Sequence, residues 1–189
     1  MVSSTKKIGI DEDVYLRPFT EADTNAVFET VRDNYDHLRT FMEWAKPDYS
    51  ITDAEEFINK AVAERAENKS LNFGIFRGEK LIGTIGFAKF DHFAKVTEIG
   101  YWISKDEQGK GIMSRACRAL IDLAFGELDM NRIQIRCASA NTRSAAIPEK
   151  LGFLKEGLQR RHVVRNGITY DFAIYGLLAS EWRAEGTPN

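Results

Sequence analysis

Glu98-Ile99-Gly100-Tyr101-Trp102-Ile103, Ser104-Lys105-Asp106-Glu107-Gln108-Gly109-Lys110-Gly111 and Ile112-Met113-Ser114-Arg115-Ala116-Cys117 run on without interruption, and their reading decides the fold. Val96 to Ile103 is rich in β-branched and aromatic residues and reads as a strand. After the glycine-rich break, Met113, Ala116, Cys117, Leu120, Leu123 and Ala124 recur every three or four residues, which predicts an amphipathic helix with Arg115, Arg118 and Asp122 on its polar side. Glycines without a Cβ let the backbone approach an anion, and a helix start offers unpaired N–H groups and the positive end of the macrodipole. Such a loop suits a diphosphate. Each charge–dipole contact contributes only about 0.3 to 1 kcal/mol, so several N–H groups must act together, with Lys110 able to add a charge. The alternative is that Gly109 and Gly111 simply make a tight strand-to-helix turn. A Walker loop is excluded because Lys110 is followed by Gly111 instead of Ser or Thr, and a dinucleotide fingerprint because its third glycine is missing.

Towards the N-terminus, Leu71 to Phe76 and Leu81 to Phe90 add two strands, which with Val96 to Ile103 make three neighbouring antiparallel strands. Val14 to Arg17 is a short strand stopped by Pro18, after which Thr20 and Asp23 form a capping box for a helix ending near Arg32. Leu38, Phe41, Met42 and Ala45 predict a second short helix ending before Pro47. Thr52 with Glu55 repeats the cap signature and opens a third, with Ala54, Phe57, Ile58, Ala61 and Val62 on one side and an end near Asn68. Towards the C-terminus, Arg132 to Ala138 alternates as a strand, Asn141 to Leu151 reads as a short helix ended by Gly152, and two strands flank an Asn166-Gly167 turn.

The chain has 189 residues, 43% hydrophobic and 29% charged, and no Pro-, Gly- or Ser-rich linker divides it, so one domain with one core is expected. A net charge of −2 argues against a nucleic-acid partner held by phosphate contacts. Cys117 and Cys137 do not form a disulfide framework, and His37, His92 and His162 are scattered without metal-ligand spacing, so no metal is expected. No signal-peptide run or stretch of 18 apolar residues is present, which points to a cytoplasmic protein with no membrane partner.

Glu98 to Ile103, then Gln108-Gly109-Lys110-Gly111, then Asn141-Thr142-Arg143-Ser144 and Leu151-Gly152-Phe153 resemble, in order and spacing, the successive motifs of the GNAT acetyltransferase superfamily. Within it, Ser144 to Phe153 is similar to the branch containing the ribosomal-protein N-terminal acetyltransferases RimJ and RimL. The likeness spans roughly Val14 to Trp182, with short flexible ends outside it. It implies an α+β, GNAT-like fold: a mixed, mostly antiparallel twisted sheet of about six to seven strands flanked by helices. It also implies acetyl-CoA as co-substrate, an amine acceptor such as the N-terminus of a ribosomal protein, and it allows a homodimer.

By the same resemblance the diphosphate of acetyl-CoA rests on amides of the loop, here Gly109, Lys110, Gly111, Ile112, Met113 and Ser114, and Gln108 before them is also a cofactor-binding residue. The pantetheine arm pairs with Tyr101, Trp102 and Ile103, whose strand edge can lend N–H and C=O groups. Asn141 either binds that arm or caps the helix it precedes. Met113 stands where the family usually has Gly or Ala, a minor departure because backbone groups make the contacts.

Aminolysis of a thioester needs a neutral amine, a group to polarise the carbonyl and a group to protonate the departing thiolate. The carboxylate and tyrosine that many family members use fall on Arg136 and Pro148 here, so base and acid lie elsewhere or are dispensable. Ser144 is the candidate near the departing sulfur, with helix capping as its alternative role. Glu98 is the candidate base, directly or through water, although a carboxylate on a solvated strand end is commonplace. Cys137 reads as a packing cysteine sooner than a nucleophile. Tyr35, Phe41, Trp44 and Tyr49 either line an acceptor groove or fill a core. His37 reads as capping or packing, and His92 as a surface residue.

An α-amine of pKa near 7.7 to 8.0 is roughly a tenth neutral at pH 7, whereas a lysine near 10.4 is neutral about once in 2,500 molecules. The missing strong base therefore favours a peptide N-terminus over a lysine side chain or polyamine. A small-amine acetyltransferase and a non-catalytic acyl-CoA-binding module are the rival readings.

Overall fold

The computed structural model of the chain describes residues 7–165 and 167–185. Its centre is one eight-stranded sheet in the order β1-β2-β3-β4-β5-β6-β8-β7. The strands are β1 (Ile8–Gly9), β2 (Val14–Pro18), β3 (Leu71–Arg77), β4 (Lys80–Asp91), β5 (Val96–Ile103), β6 (Arg132–Ala138), β7 (Leu154–Arg165) and β8 (Ile168–Leu178). All neighbours run antiparallel except β5 and β6. The strand beyond the expected six to seven is β1, whose pairing rests on Ile8↔Leu16 and Gly9↔Tyr15. Two residues are too few to show an alternating pattern.

Alternation along the strands divides the interior. Phe73 and Ile75 of β3 join a cluster with the buried residues of α4 (Ile112–Gly126), while Phe76 joins Phe19, Val27, Val31, Ala54 and Ile58 on the opposite side. That second layer belongs to α1 (Thr24–Asp33) and α3 (Ile51–Ala66). In α4 the three-four spacing buries Ala116, Cys117, Leu120, Ile121 and Ala124. Each large aliphatic side chain removed from water in this way contributes about 1.5 to 3 kcal/mol.

Two helix predictions need correction. The second helix, α2, spans only Tyr35–Leu38, and Phe41, Met42 and Ala45 follow in irregular turns. Phe41 and Met42 face cavities described below, so their spacing reflects that lining and not a helical stripe. The cap of α3 is Ser50, two residues before Thr52: the Ser50 hydroxyl accepts the Asp53 N–H at 3.3 Å, and the Asp53 carboxylate accepts the Ser50 N–H at 2.8 Å. The box on Thr20 and Asp23 is present, on a single 3₁₀ turn (Glu21–Asp23) that leads into α1. In the expected Asn166-Gly167 turn, Asn166 lies outside the described residues, and Gly167 has φ 75°.

The feature that positions the site is a fork. β5 and β6 pair only at Val96↔Arg132, Thr97↔Ile133 and Glu98↔Gln134. Beyond Glu98, residues Gly100 to Ile103 pair with β4 alone, and β6 turns instead towards α5 (Thr142–Lys150) and β8. The edge of β5 facing the fork thus keeps free backbone donors and acceptors. Among the described residues no helix is long and apolar enough to cross a membrane.

Candidate active site

Two cavities open on the fork. The first, about 590 Å³, is bounded by Gly109, Gly111 to Ser114, His37 and Ile103. The second, about 800 Å³, lies against α1 and α3 and is bounded by Val27, Trp44, Tyr49, Phe57, Arg136 and Phe172. Tyr101, Trp102, Asn141 and Ser144 line both, so the cavities meet at the end of β5 and the start of α5.

Gly109 and Gly111 sit at φ 75° and 72°, in the left-handed region that a residue with a Cβ enters at a cost. Gly111 is the N-cap of α4 and no side chain caps the helix. The orphan N–H groups of its first turn therefore belong to Gly111, Ile112, Met113 and Ser114, all on the first cavity. A Cβ on Gly109 would meet no protein atom within 4 Å, so the loop's outer side is open space. Uncapped amides, a helix dipole and room for an anion fit a diphosphate. Lys110 does not line this cavity: its Nζ reaches Glu107 at 3.1 Å.

Positive charge on this cavity comes from Arg143 and Lys150 instead. Arg143 Nη1 donates to Gln108 Oε1 at 2.7 Å, and Gln108 Nε2 lies 2.9 Å from His37 Nε2. The chain Arg143–Gln108–His37 joins α5, the loop and α2 along the cavity wall. Burial, then the charges of Arg143 and Lys105, hold the His37 imidazole below its usual pKa, so it is neutral and accepts from Gln108. His37, read from sequence only as capping or packing, is thus part of the site, and nothing in the spacing of a lone histidine signalled it.

At the junction, Tyr101 Oη donates to the Ser144 carbonyl oxygen at 3.1 Å, and Ser144 Oγ lies 3.3 Å from Tyr101 Oη. Asn141 Oδ1 accepts the Ser144 N–H at 3.2 Å, so Asn141 caps α5 while lining both cavities. The Ser144 hydroxyl does not cap; it faces Tyr101. Burial pushes the Tyr101 hydroxyl well above its ordinary pKa, which keeps it protonated.

Glu98, the candidate base, is engaged on the neighbouring strand. Its Oε2 accepts from Arg136 Nε at 3.0 Å and from Gln134 Nε2 at 3.3 Å, and it lines neither cavity. The side chain that reaches the second cavity from this corner is Arg136. Cys137 is buried at 6% exposure, and burial raises its thiol pKa, as expected of a packing cysteine. Of the aromatic residues, Trp44 and Tyr49 line the second cavity and Phe41 lines both, whereas Tyr35 lines neither. The Trp44 ring sits 5.8 Å from Trp102 and 6.3 Å from Tyr49. Asp53 is held at a pKa of about 2 by Lys46 and then Ser50, so this carboxylate on the second cavity is ionised and engaged.

Residues 13–154 match the acetyltransferase (GNAT) domain family. The chain is 34% identical over 177 residues to the putative ribosomal N-acetyltransferase YdaF of Bacillus subtilis (strain 168), covering 93% of this chain and 97% of that protein. It is 27% identical over 171 residues to the ribosomal-protein-serine acetyltransferase of Escherichia coli (strain K12), covering 90% and 96% respectively. The solved structure of the microcin C7 self-immunity acetyltransferase MccE with acetyl-CoA and AMP is similar at a TM-score of 0.84 and 27% identity, over 93% of this chain and 98% of that one. The domain match takes in the fork, the glycine loop and α5 together, and the chain belongs to the GNAT acetyltransferase family.

Proposed function

We propose that this acetyl-CoA-dependent N-acetyltransferase acts on the α-amine of a protein or peptide N-terminus, by direct transfer between two substrates bound side by side. The observation that carries the reading is the meeting of two cavities at Tyr101, Trp102, Asn141 and Ser144. The first suits acetyl-CoA, with the diphosphate on the amides of Gly109 and Gly111 to Ser114 and the pantetheine along Tyr101 to Ile103. The second, walled by Trp44, Tyr49 and Phe57, suits the acceptor. Two of the relatives described above carry names of ribosomal-protein acetyltransferases.

In this reaction the neutral amine attacks the thioester carbonyl, a C–N bond forms and the C–S bond breaks, and the proton lost by the nitrogen passes to the departing thiolate, leaving an amide and the free thiol of coenzyme A. The Ser144 hydroxyl, free of capping, turns from Tyr101 towards the departing sulfur and stabilises its charge by a hydrogen bond. Proximity then supplies much of the rate. Among the described residues no unengaged buried carboxylate sits at the junction, which favours an amine that is already partly neutral. Acidic side chains on the second cavity, Asp53 and Glu56 of α3, favour a small cationic amine as the second reading.

Thiol release measured with short peptides of varied first residue, alongside lysine, spermidine and an aminoglycoside, separates the two. The expected result is turnover of peptides, with mass spectrometry placing acetyl on the N-terminal nitrogen. Acetyl found only on side-chain or small-molecule amines would sink the N-terminal reading.

A further inference from the structure

The second cavity has three acidic and three basic side chains on its walls, and their hydrogen bonds are unevenly satisfied. Asp53 is occupied by Lys46 and Ser50, and Glu43 by Arg165 at 2.8 Å. Glu56 and Lys60 stand one turn apart on α3. The two arginines differ. Arg136 uses only its Nε, on Glu98, and its Nη1 and Nη2 hydrogen-bond no described residue. Arg165 has a 19% exposed side chain, donates from Nη1 to Glu43 and to the Val164 carbonyl, and leaves a buried Nε with no partner. A carboxylate with two in-plane oxygens is the group that suits a guanidinium fork, and on this wall the donors open to it are the Arg136 Nη pair and the Arg165 Nη1 that the exposed Glu43 can release.

We propose that Arg136 and Arg165 recognise a carboxylate of the acceptor, placed a few atoms behind the nitrogen that is acetylated. Resting on the N-terminal reading above, this makes the preferred acceptor a chain with Asp or Glu at its second or third residue. The Trp44, Tyr49 and Phe57 wall takes the apolar part of the first residues, and the arginines take the charge. Glu43, 75% exposed at the rim, then exchanges its hold on Arg165 for solvent when the acceptor enters.

The test compares kcat/KM at low salt within matched pairs that differ in one carboxylate: peptides with Asp against Asn at the second and third residues, and ornithine against 1,4-diaminobutane. The expected preference for the carboxylate member is about tenfold or more, as for a charge-assisted hydrogen bond. Arg136→Gln and Arg165→Gln bring that ratio towards one, Arg136→Lys retains part of it, and Arg160→Gln, outside the cavity on β7, leaves it unchanged. Thermal melts of each variant separate lost recognition from lost folding. A ratio of one or less in the native protein overturns the proposal while leaving the N-terminal reading intact. Turnover of ornithine but of no peptide overturns the N-terminal reading while the carboxylate preference stands, and no turnover of any acceptor overturns both.

Discussion

The Tyr101 hydroxyl donates to the main-chain oxygen of Ser144 at 3.1 Å, and the Ser144 hydroxyl lies 3.3 Å from the same phenol oxygen. One limb of the fork is thereby tied to α5 where the two cavities meet, and the serine side chain is left with a rotatable hydroxyl at that point.

Ser144→Ala removes the hydroxyl but keeps the backbone N–H on Asn141 and the carbonyl on Tyr101. The expected outcome is a fall in kcat of about tenfold to a hundredfold, the scale of one transition-state hydrogen bond. Calorimetry should show acetyl-CoA affinity changed by less than about threefold. Tyr101→Phe should instead destabilise the fold by about 1 kcal/mol, read in a denaturant titration, because it deletes a buried hydrogen bond to the Ser144 carbonyl.

Gly109→Ala and Gly111→Ala both force a Cβ into the left-handed region, costing roughly 1 to 2 kcal/mol each. At Gly111 the new Cβ would also lie 2.9 Å from Arg115 Nη1. At Gly109 it meets no protein atom, and the residue lines the first cavity, so any loss of affinity there reports on the bound diphosphate and not on a clash within the protein. The expected signature is a modest loss of stability in both, with a fall of tenfold or more in acetyl-CoA affinity for Gly109→Ala, measured by calorimetry.

Gly83 lies beneath the cofactor strand on β4. A Cβ there would come within 2.5 Å of the Trp102 carbonyl oxygen and 2.9 Å of the Ile103 Cα, both main-chain atoms. Gly83→Ala must shift β5 outward, although residue 83 lines neither cavity. A rise in KM for acetyl-CoA together with a lower melting temperature is expected. An unchanged KM would show that the β5 edge does not hold the cofactor.

His37 sets a pH dependence. Its folded pKa lies below the ordinary value of about 6.5, so the unfolded chain binds more protons in the interval between the two. Stability is therefore full above about pH 6.5 and falls as pH drops through that value towards the folded pKa. Protonation would also place an N–H against the Gln108 amide, breaking the chain to Arg143. KM for acetyl-CoA should rise on acidification below pH 6.5, and His37→Gln should flatten that rise in steady-state assays.

The loop and its flanking elements were legible because their chemistry is local. Val96 to Ile103 and Arg132 to Ala138 carry their strand pattern within a few residues, and Gly111 announces the turn into α4. The fork was not legible, since the point where β5 and β6 part depends on pairing between residues more than thirty positions apart. The same distance hid Arg136, which sequence reading treated only as a missing carboxylate, and it hid the partner of Glu98, since Arg136 lies on the other strand. His37 reaches the loop through Gln108, a contact across the fold that no motif encodes. Around Phe41 and Met42 the apolar spacing suggested a helix, but cavity walls and helix faces draw on the same residue types.

Three rungs join β5 to β6, so the halves of the sheet on either side of that seam share little main-chain bonding there. A donor molecule lying along Gly100 to Ile103 would act as a removable splint, supplying the cross-strand bonds that β6 withholds. Loading should accordingly slow amide exchange along this edge and raise the melting temperature, and discharge of the thiol product should restore the looser seam before the next cycle.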